Sequence, residues 1–131
     1  MGFGMNLLAD THALWWGFTS DTRLSSVAEK ALTDARNIVY VSAAVPWELA
    51  IKTTSGKLDA HAILADFRDL LFQRGFRRLA ISTDHALRAG LLPLVHRDPF
   101  DRMLVAQSQA LNFPILSADS IFDRYGVQRI W

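Results

Sequence analysis

The sequence predicts an α/β fold, a parallel sheet sandwiched between layers of helix, and three observations predict it. Short apolar runs recur along the chain with helical segments between them. The runs are apolar throughout, as strands buried on both faces are. Acidic residues stand where a strand closes or the next helix opens. Right-handed crossovers put the ends of parallel strands on one rim, where α/β folds bind ligands.

The first strand is expected over 5–9, Met5-Asn6-Leu7-Leu8-Ala9, closed by Asp10. Helices follow over 12–18 and 26–36, the second opened by Ser26-Val27-Ala28-Glu29, a capping-box pattern. Ile38-Val39-Tyr40-Val41-Ser42 predicts the strand 38–42, and Pro46 suits the first turn of a helix over 46–55. Ile63, Leu64, Phe67, Leu70 and Leu71 form the stripe of one amphipathic helix over 60–74. Gly56 and Gly75 suit helix C-termini. A strand over 78–81 and a helix over 84–90 come next. Asp98-Pro99 sets an N-cap and an N1 proline for the helix 99–111. The chain then reads as strand 114–117, helix 120–124 and strand 127–130. Phe72, Phe76, Trp15 and Trp16 are expected in the core or an interface. Adjacent Trp15 and Trp16 cannot both face the core from one helix, so one of them is expected at the surface.

A chain of 131 residues fits a single domain, here 1–131, with 1–4 set apart as an extension ahead of Met5. Half the residues are apolar and 21% are charged. That fills a core and leaves a surplus for a partner interface. No cysteine is present, which excludes disulfides and thiol chemistry and fits a reducing compartment. No apolar run approaches membrane-spanning length, and the start lacks a signal-peptide pattern. The expectation is a cytoplasmic protein with no membrane attachment. The net charge of +1 decides little, but basic residues recur near the acidic positions.

Asp10, Glu48, Asp101 and Asp119 are the candidate site. Each alone has a plain explanation. Asp10 and Asp119 can cap helices, Asp98 can be an N-cap, Asp101 can sit at N3 near the positive helix end, and Glu48 can pair with Lys52. All at equivalent ends of successive units is harder to assign to capping, because caps use Ser, Thr and Asn as often as Asp. Like charges gathered on one rim need a cation between them, and hard divalent ions prefer carboxylate oxygen.

Leu7-Leu8-Ala9-Asp10-Thr11-His12-Ala13-Leu14-Trp15-Trp16 resembles the opening of PIN-domain nucleases. Pro46-Trp47-Glu48-Leu49-Ala50-Ile51-Lys52 followed by Gly56-Lys57-Leu58 resembles their second acidic motif. His96-Arg97-Asp98-Pro99-Phe100-Asp101-Arg102-Met103-Leu104-Val105-Ala106-Gln107 resembles the third, and Ile115-Leu116-Ser117-Ala118-Asp119 with Phe122 and Tyr125 the fourth. The similarity spans essentially the whole chain, and the third motif is the most specific. VapC-type toxins of bacterial toxin–antitoxin pairs are the most similar group.

The resemblance implies a PIN-domain-like α/β/α sandwich and a ribonuclease whose Asp10, Glu48, Asp101 and Asp119 hold Mg2+ or Mn2+. It implies Asp98 as an auxiliary acid or cap, and Thr11 and Ser117 as hydroxyls beside the site. Ser117 stands where the family often has Thr. A carboxylate-held Mg2+ would activate water and neutralise phosphate charge. Since Mg2+ takes few protein carboxylates, Asp10 and Asp101 are expected as direct ligands, with Glu48 and Asp119 orienting water or holding a second ion.

RNA, with tRNA as an example, is the implied substrate, and Lys52, Arg97, Arg102 and Arg124 are the candidate phosphate contacts. Arg102 could instead pair with an acid. The resemblance also implies an antitoxin lying along apolar helices at 12–18 and 46–74, and a homodimer. His12, His61, His85 and His96 match no compact zinc motif. An aspartyl-phosphate phosphatase would need an Asp two residues after Asp10, where His12 stands. The alternative is a non-catalytic PIN-like module that binds RNA or protein.

Overall fold

The structure, a computed structural model, describes residues 4–131. The first three residues of the 1–4 extension lie outside the described residues. Five strands form one wholly parallel sheet: β1 (Asn6–Ala9), β2 (Ile38–Ser42), β3 (Arg77–Leu79), β4 (Ile115–Leu116) and β5 (Arg129–Ile130). Their order is β3-β2-β1-β4-β5. The chain winds outward from β1 in one direction to β3, then returns to β1's other side with β4. The C-terminal end of β1 is thereby the switch point of a doubly wound sheet.

Among the described residues, seven α-helices connect the strands: α1 (Thr11–Thr19), α2 (Ser26–Thr33), α3 (Ala44–Thr54), α4 (His61–Ala65), α5 (Phe67–Gln73), α6 (Thr83–Leu91) and α7 (Pro99–Leu111). A 3-10 helix spans Ser120–Tyr125. The two faces of the sheet carry separate cores, and β1 feeds both because successive side chains point to opposite faces. Leu7 joins Leu14, Val41, Leu49, Leu71 and Leu116 on one side. Leu8 joins Leu104, Val105, Ile115 and Phe122 on the other. Each fully buried side chain of this size contributes about 2 kcal/mol relative to exposure.

The helix predicted over 60–74 is two helices. Asp66 departs from helical geometry at φ −112° and ψ 21°, and Asp is a weak helix former. The break leaves Phe67 and Leu71 buried in the first core, with Ile63 and Leu64 packed against it. The helix predicted over 26–36 stops at Thr33, where the Asp34 carboxylate accepts from the Arg36 backbone N–H and turns the chain. Its cap is Ser25, one residue earlier than the predicted Ser26: the Ser25 hydroxyl accepts from Ala28 N at 3.0 Å. The capping box belongs instead to α6, between Ser82 and His85. Trp15 and Trp16 are both half-buried. Trp16 is sandwiched by Trp131, His12 and the Arg23 guanidinium. The exposed tryptophan is Trp47, and Phe72, at 85% exposure, belongs to no core.

Candidate active site

Each acidic residue is placed by a local device already visible in its neighbourhood. Asp10 closes β1 and caps α1, its Oδ1 accepting from Ala13 N at 2.7 Å. Ser117, just past β4, hydrogen-bonds the same carboxylate. The strand pairing explains the meeting: β1 and β4 run side by side in register, with Ala9 opposite Leu116. The Ser117 hydroxyl also accepts from Asp119 N at 3.0 Å, so Asp10 and the Asp119 backbone share one serine.

Glu48 lies one turn into α3 and is 7% exposed. Its Oε1 accepts from Thr11 Oγ1 at 2.5 Å, and its Oε2 faces Lys52 Nζ at 2.8 Å. Asp98 caps α7, accepting from Phe100 N and Asp101 N at 2.9 Å each. This turns Asp101 inward, where His96 Nε2 stands 2.8 Å from its Oδ2. Trp47 meets Phe100 edge-on, with ring centroids 5.0 Å apart. These two rings directly precede Glu48 and Asp101, so one aromatic contact braces the two helices that carry the acids.

Electrostatics tie three of the four together. Burial pushes the Asp10 carboxyl above its ordinary range, opposed by its hydrogen bonds to Ser117 and Ala13 and by His12, and reinforced by the charge of Glu48. Burial pushes Asp101 up to about 6, opposed by the His96 hydrogen bond and reinforced by Asp98 and Glu48. The charge common to both is that of Glu48, between the pair expected as direct ligands. Asp119 is exposed and caps the 3-10 helix through Ile121 N.

Among the described residues, no three His, Asp or Glu side chains stand together as a ready-made metal cage. Glu48 is turned to Lys52 and Thr11, and Asp101 to His96. The donor set is nonetheless of one kind. Asp10, Glu48 and Asp101 offer carboxylate oxygens, desolvated and mutually repelling, which a hard divalent cation relieves.

The four basic candidates separate. Arg97 and Arg124 are exposed. Lys52 is committed to Glu48, the i,i+4 pair its spacing allows. Arg102 is corrected: it is 7% exposed and its guanidinium donates to backbone carbonyls, so it has no free donor face for phosphate and no acid for a partner. Sequence reasoning missed the grip of His96 on Asp101. The signal was present as a histidine two residues before the capping Asp98, because a residue just outside an N-cap can fold back over the first helical turn. It also missed Arg129, whose Nη1 donates to the Ser117 carbonyl at 3.2 Å.

Comparisons with known proteins agree with the fold. The sequence profile described as PIN domain matches residues 7–128. No curated protein matches the chain significantly. VapBC2 from Rickettsia felis, solved bound to a DNA fragment from their promoter, is 15% identical. The match covers 95% of this chain and 97% of that one, with a TM-score of 0.69. VapC20 from Mycobacterium tuberculosis, a sarcin-ricin loop cleaving toxin, is 17% identical over 92% of this chain and 95% of that one, at a TM-score of 0.67. A toxin–antitoxin complex from Klebsiella pneumoniae is 20% identical over 87% of each chain, at 0.63. Identities this low establish the shared fold.

Proposed function

The chain belongs to the PIN domain family, and on that premise we propose that it is a divalent-metal-dependent endoribonuclease acting as the toxin of a toxin–antitoxin pair. The observation that carries this reading is the shared electrostatic environment of Asp10, Glu48 and Asp101 at the switch point of the sheet. A structural capping role needs no such crowding. It raises the energy of the ionised, metal-free state, and groups perturbed in this way cluster at functional sites.

Asp10, Glu48, Asp101 and Asp119 are the proposed catalytic and metal-holding acids, with Mg2+ or Mn2+ as the ion. The ion, when bound, lowers the pKa of a water and offsets charge building on the phosphate. The protein supplies placement. Ser117 and Ala13 N fix Asp10, Thr11 fixes Glu48, and His96 fixes Asp101. Asp98 serves as the cap that aims Asp101. Lys52, paired with Glu48, would be free to meet phosphate if Glu48 held the ion instead. Arg97 and Arg124 are the other proposed phosphate contacts, both exposed.

RNA is the proposed substrate, by analogy with the M. tuberculosis toxin. An antitoxin is the proposed partner, since several of the similar structures are toxin–antitoxin assemblies. Its docking ground is the exposed apolar set Trp47, Ile51 and Phe72, on the helices where the apolar groove was expected. A homodimer and a cytoplasmic location complete the proposal. Among the described residues no helix is long and apolar enough to cross a membrane.

The test is cleavage of total RNA by the purified chain in Mn2+ or Mg2+ against EDTA, beside Asp10→Asn. Metal-dependent cuts lost in the variant are expected. Equal cleavage by Asp10→Asn, in preparations free of host nuclease, would overturn the catalytic assignment.

A further inference from the structure

Arg102 is a buried cation with an unusual set of partners. It follows Asp101 directly, yet among the described residues no ion pair accounts for its burial. Its Nη2 donates to the carbonyls of Ala89 at 2.9 Å, Gly90 at 3.3 Å and Leu92 at 2.9 Å. Its Nη1 donates to those of Pro93 at 3.0 Å and His96 at 3.1 Å. The first three carbonyls close α6, where a helix leaves its last acceptors unpaired and presents the negative end of its dipole. The Tyr125 hydroxyl lies against the same carbonyls, 3.3 Å from Pro93 O and 3.5 Å from His96 O, and 3.5 Å from Arg102 Nη1.

A cap for α6 would end at Leu92. This network runs on to His96, through a stretch with no regular structure between α6 and α7. Adjacent residues therefore hold His96 from its two ends: Arg102 takes the backbone carbonyl, and Asp101 takes the ring. The backbone contact and the ring contact of His96 are thus made by consecutive residues of α7.

We propose that Arg102 and Tyr125 are positioning residues for the acidic site. By pinning 89–96 they present His96 to Asp101, and so fix the direction in which that carboxylate faces metal and phosphate. The inference rests on the nuclease reading above for its consequence in catalysis, and on geometry alone for the placement of His96.

The experiment uses the full chain and two readouts. The first is the imidazole 15N–1H spectrum of metal-free protein, with His96 signals assigned by the changes they undergo in Asp101→Asn. The second is Mn2+-dependent cleavage of a fixed pool of total RNA. Arg102→Lys and Tyr125→Phe are expected to move the His96 signals toward their position in Asp101→Asn. Cleavage at saturating Mn2+ should fall about tenfold or more, as misplacement of a reacting group does. His96→Ala should show the same loss, while His96→Gln, which keeps a donor near the place of Nε2, should recover most of it.

Unchanged His96 signals in a folded Tyr125→Phe and Arg102→Lys would overturn the proposal, as would wild-type cleavage by His96→Ala. A purely structural clamp would lower the melting temperature and leave the spectrum and His96→Ala activity alone. If Arg102→Lys fails to fold, Tyr125→Phe, which removes one hydroxyl, carries the test. If the wild type shows no metal-dependent cleavage, the nuclease reading fails, and the spectra still decide whether the clamp places His96.

Discussion

Two neighbouring residues, Asp101 and Arg102, are both withdrawn from water, and the fold treats their charges in opposite ways. Arg102 is surrounded by carbonyls that accept from it, most of them from the C-terminal end of α6. Asp101 has one histidine partner and two acids, Asp98 and Glu48, whose charges oppose its ionisation. A buried ion is costly unless it is fully hydrogen-bonded. Both terminal nitrogens of Arg102 are hydrogen-bonded, and the residue is part of the scaffold. Asp101 is not so fully partnered, and the proposed divalent ion is what would complete its partner set. Burial alone therefore does not separate structural from functional charges; the completeness of the partner set does.

The sharpest way to break this contrast is to neutralise each side. Asp101→Asn keeps the shape and an acceptor for His96 but removes the charge. Cleavage of total RNA in Mn2+ should fall at least about a thousandfold, equivalent to about 4 kcal/mol of transition-state stabilisation. Retention of activity would mean that the crowded carboxylates are not the reactive ones.

On the other side, Arg102→Met strands several carbonyls without a donor. It should cost about 3 kcal/mol of stability, read as a lowered urea midpoint. A loss under about 1 kcal/mol would show that water replaces the guanidinium easily, and the contrast would collapse.

Removing the charge of Asp101 should act on stability in the reverse direction. Its folded-state pKa of about 6 lies above the ordinary 3.8, so the folded chain binds this proton more tightly than the unfolded chain does. The contribution is fully present below about pH 4 and is lost as pH rises through about 6. Metal-free Asp101→Asn should therefore gain on the wild type between pH 4 and 7.5, by about 2 kcal/mol at the upper end after allowance for solvent screening. Parallel stability–pH curves for the two proteins would remove Asp101 from the account.

The smallest expected effect is a rise in melting temperature with millimolar Mn2+. Occupancy at ten times the dissociation constant contributes about 1.4 kcal/mol, a shift of a few degrees for a domain of this size. Asp10→Asn should lose it. An equal rise in the variant would place the ion elsewhere.

Much of the fold was legible because it follows from local rules. The helix Pro99–Leu111 and the strand Ile38–Ser42 fall where the N-cap Asp98, the N1 proline and the apolar run put them. Gly56 and Gly75, at φ 78° and 72°, end their segments as glycines at helix C-termini do. The break at Asp66 was hidden, since a continuous apolar stripe has the same spacing whether or not one residue interrupts it. The shift from Ser26 to Ser25 was hidden too, because both serines satisfy the cap chemistry and packing chooses between them.

For the site, the sequence by itself determined which residues are acidic and that they stand at strand and helix ends, because capping and apolar periodicity are read over a few residues. The wholly parallel sheet then made one rim of those ends. Only the tertiary structure decided what each acid touches. Lys52 and Thr11 on Glu48, His96 on Asp101 and Ser117 on Asp10 depend on side-chain rotamers and on the register of β1 against β4. The fate of Arg102 was decided there as well. A basic residue beside an acidic motif looks like a phosphate contact until the fold buries it among carbonyls that no short stretch of sequence announces.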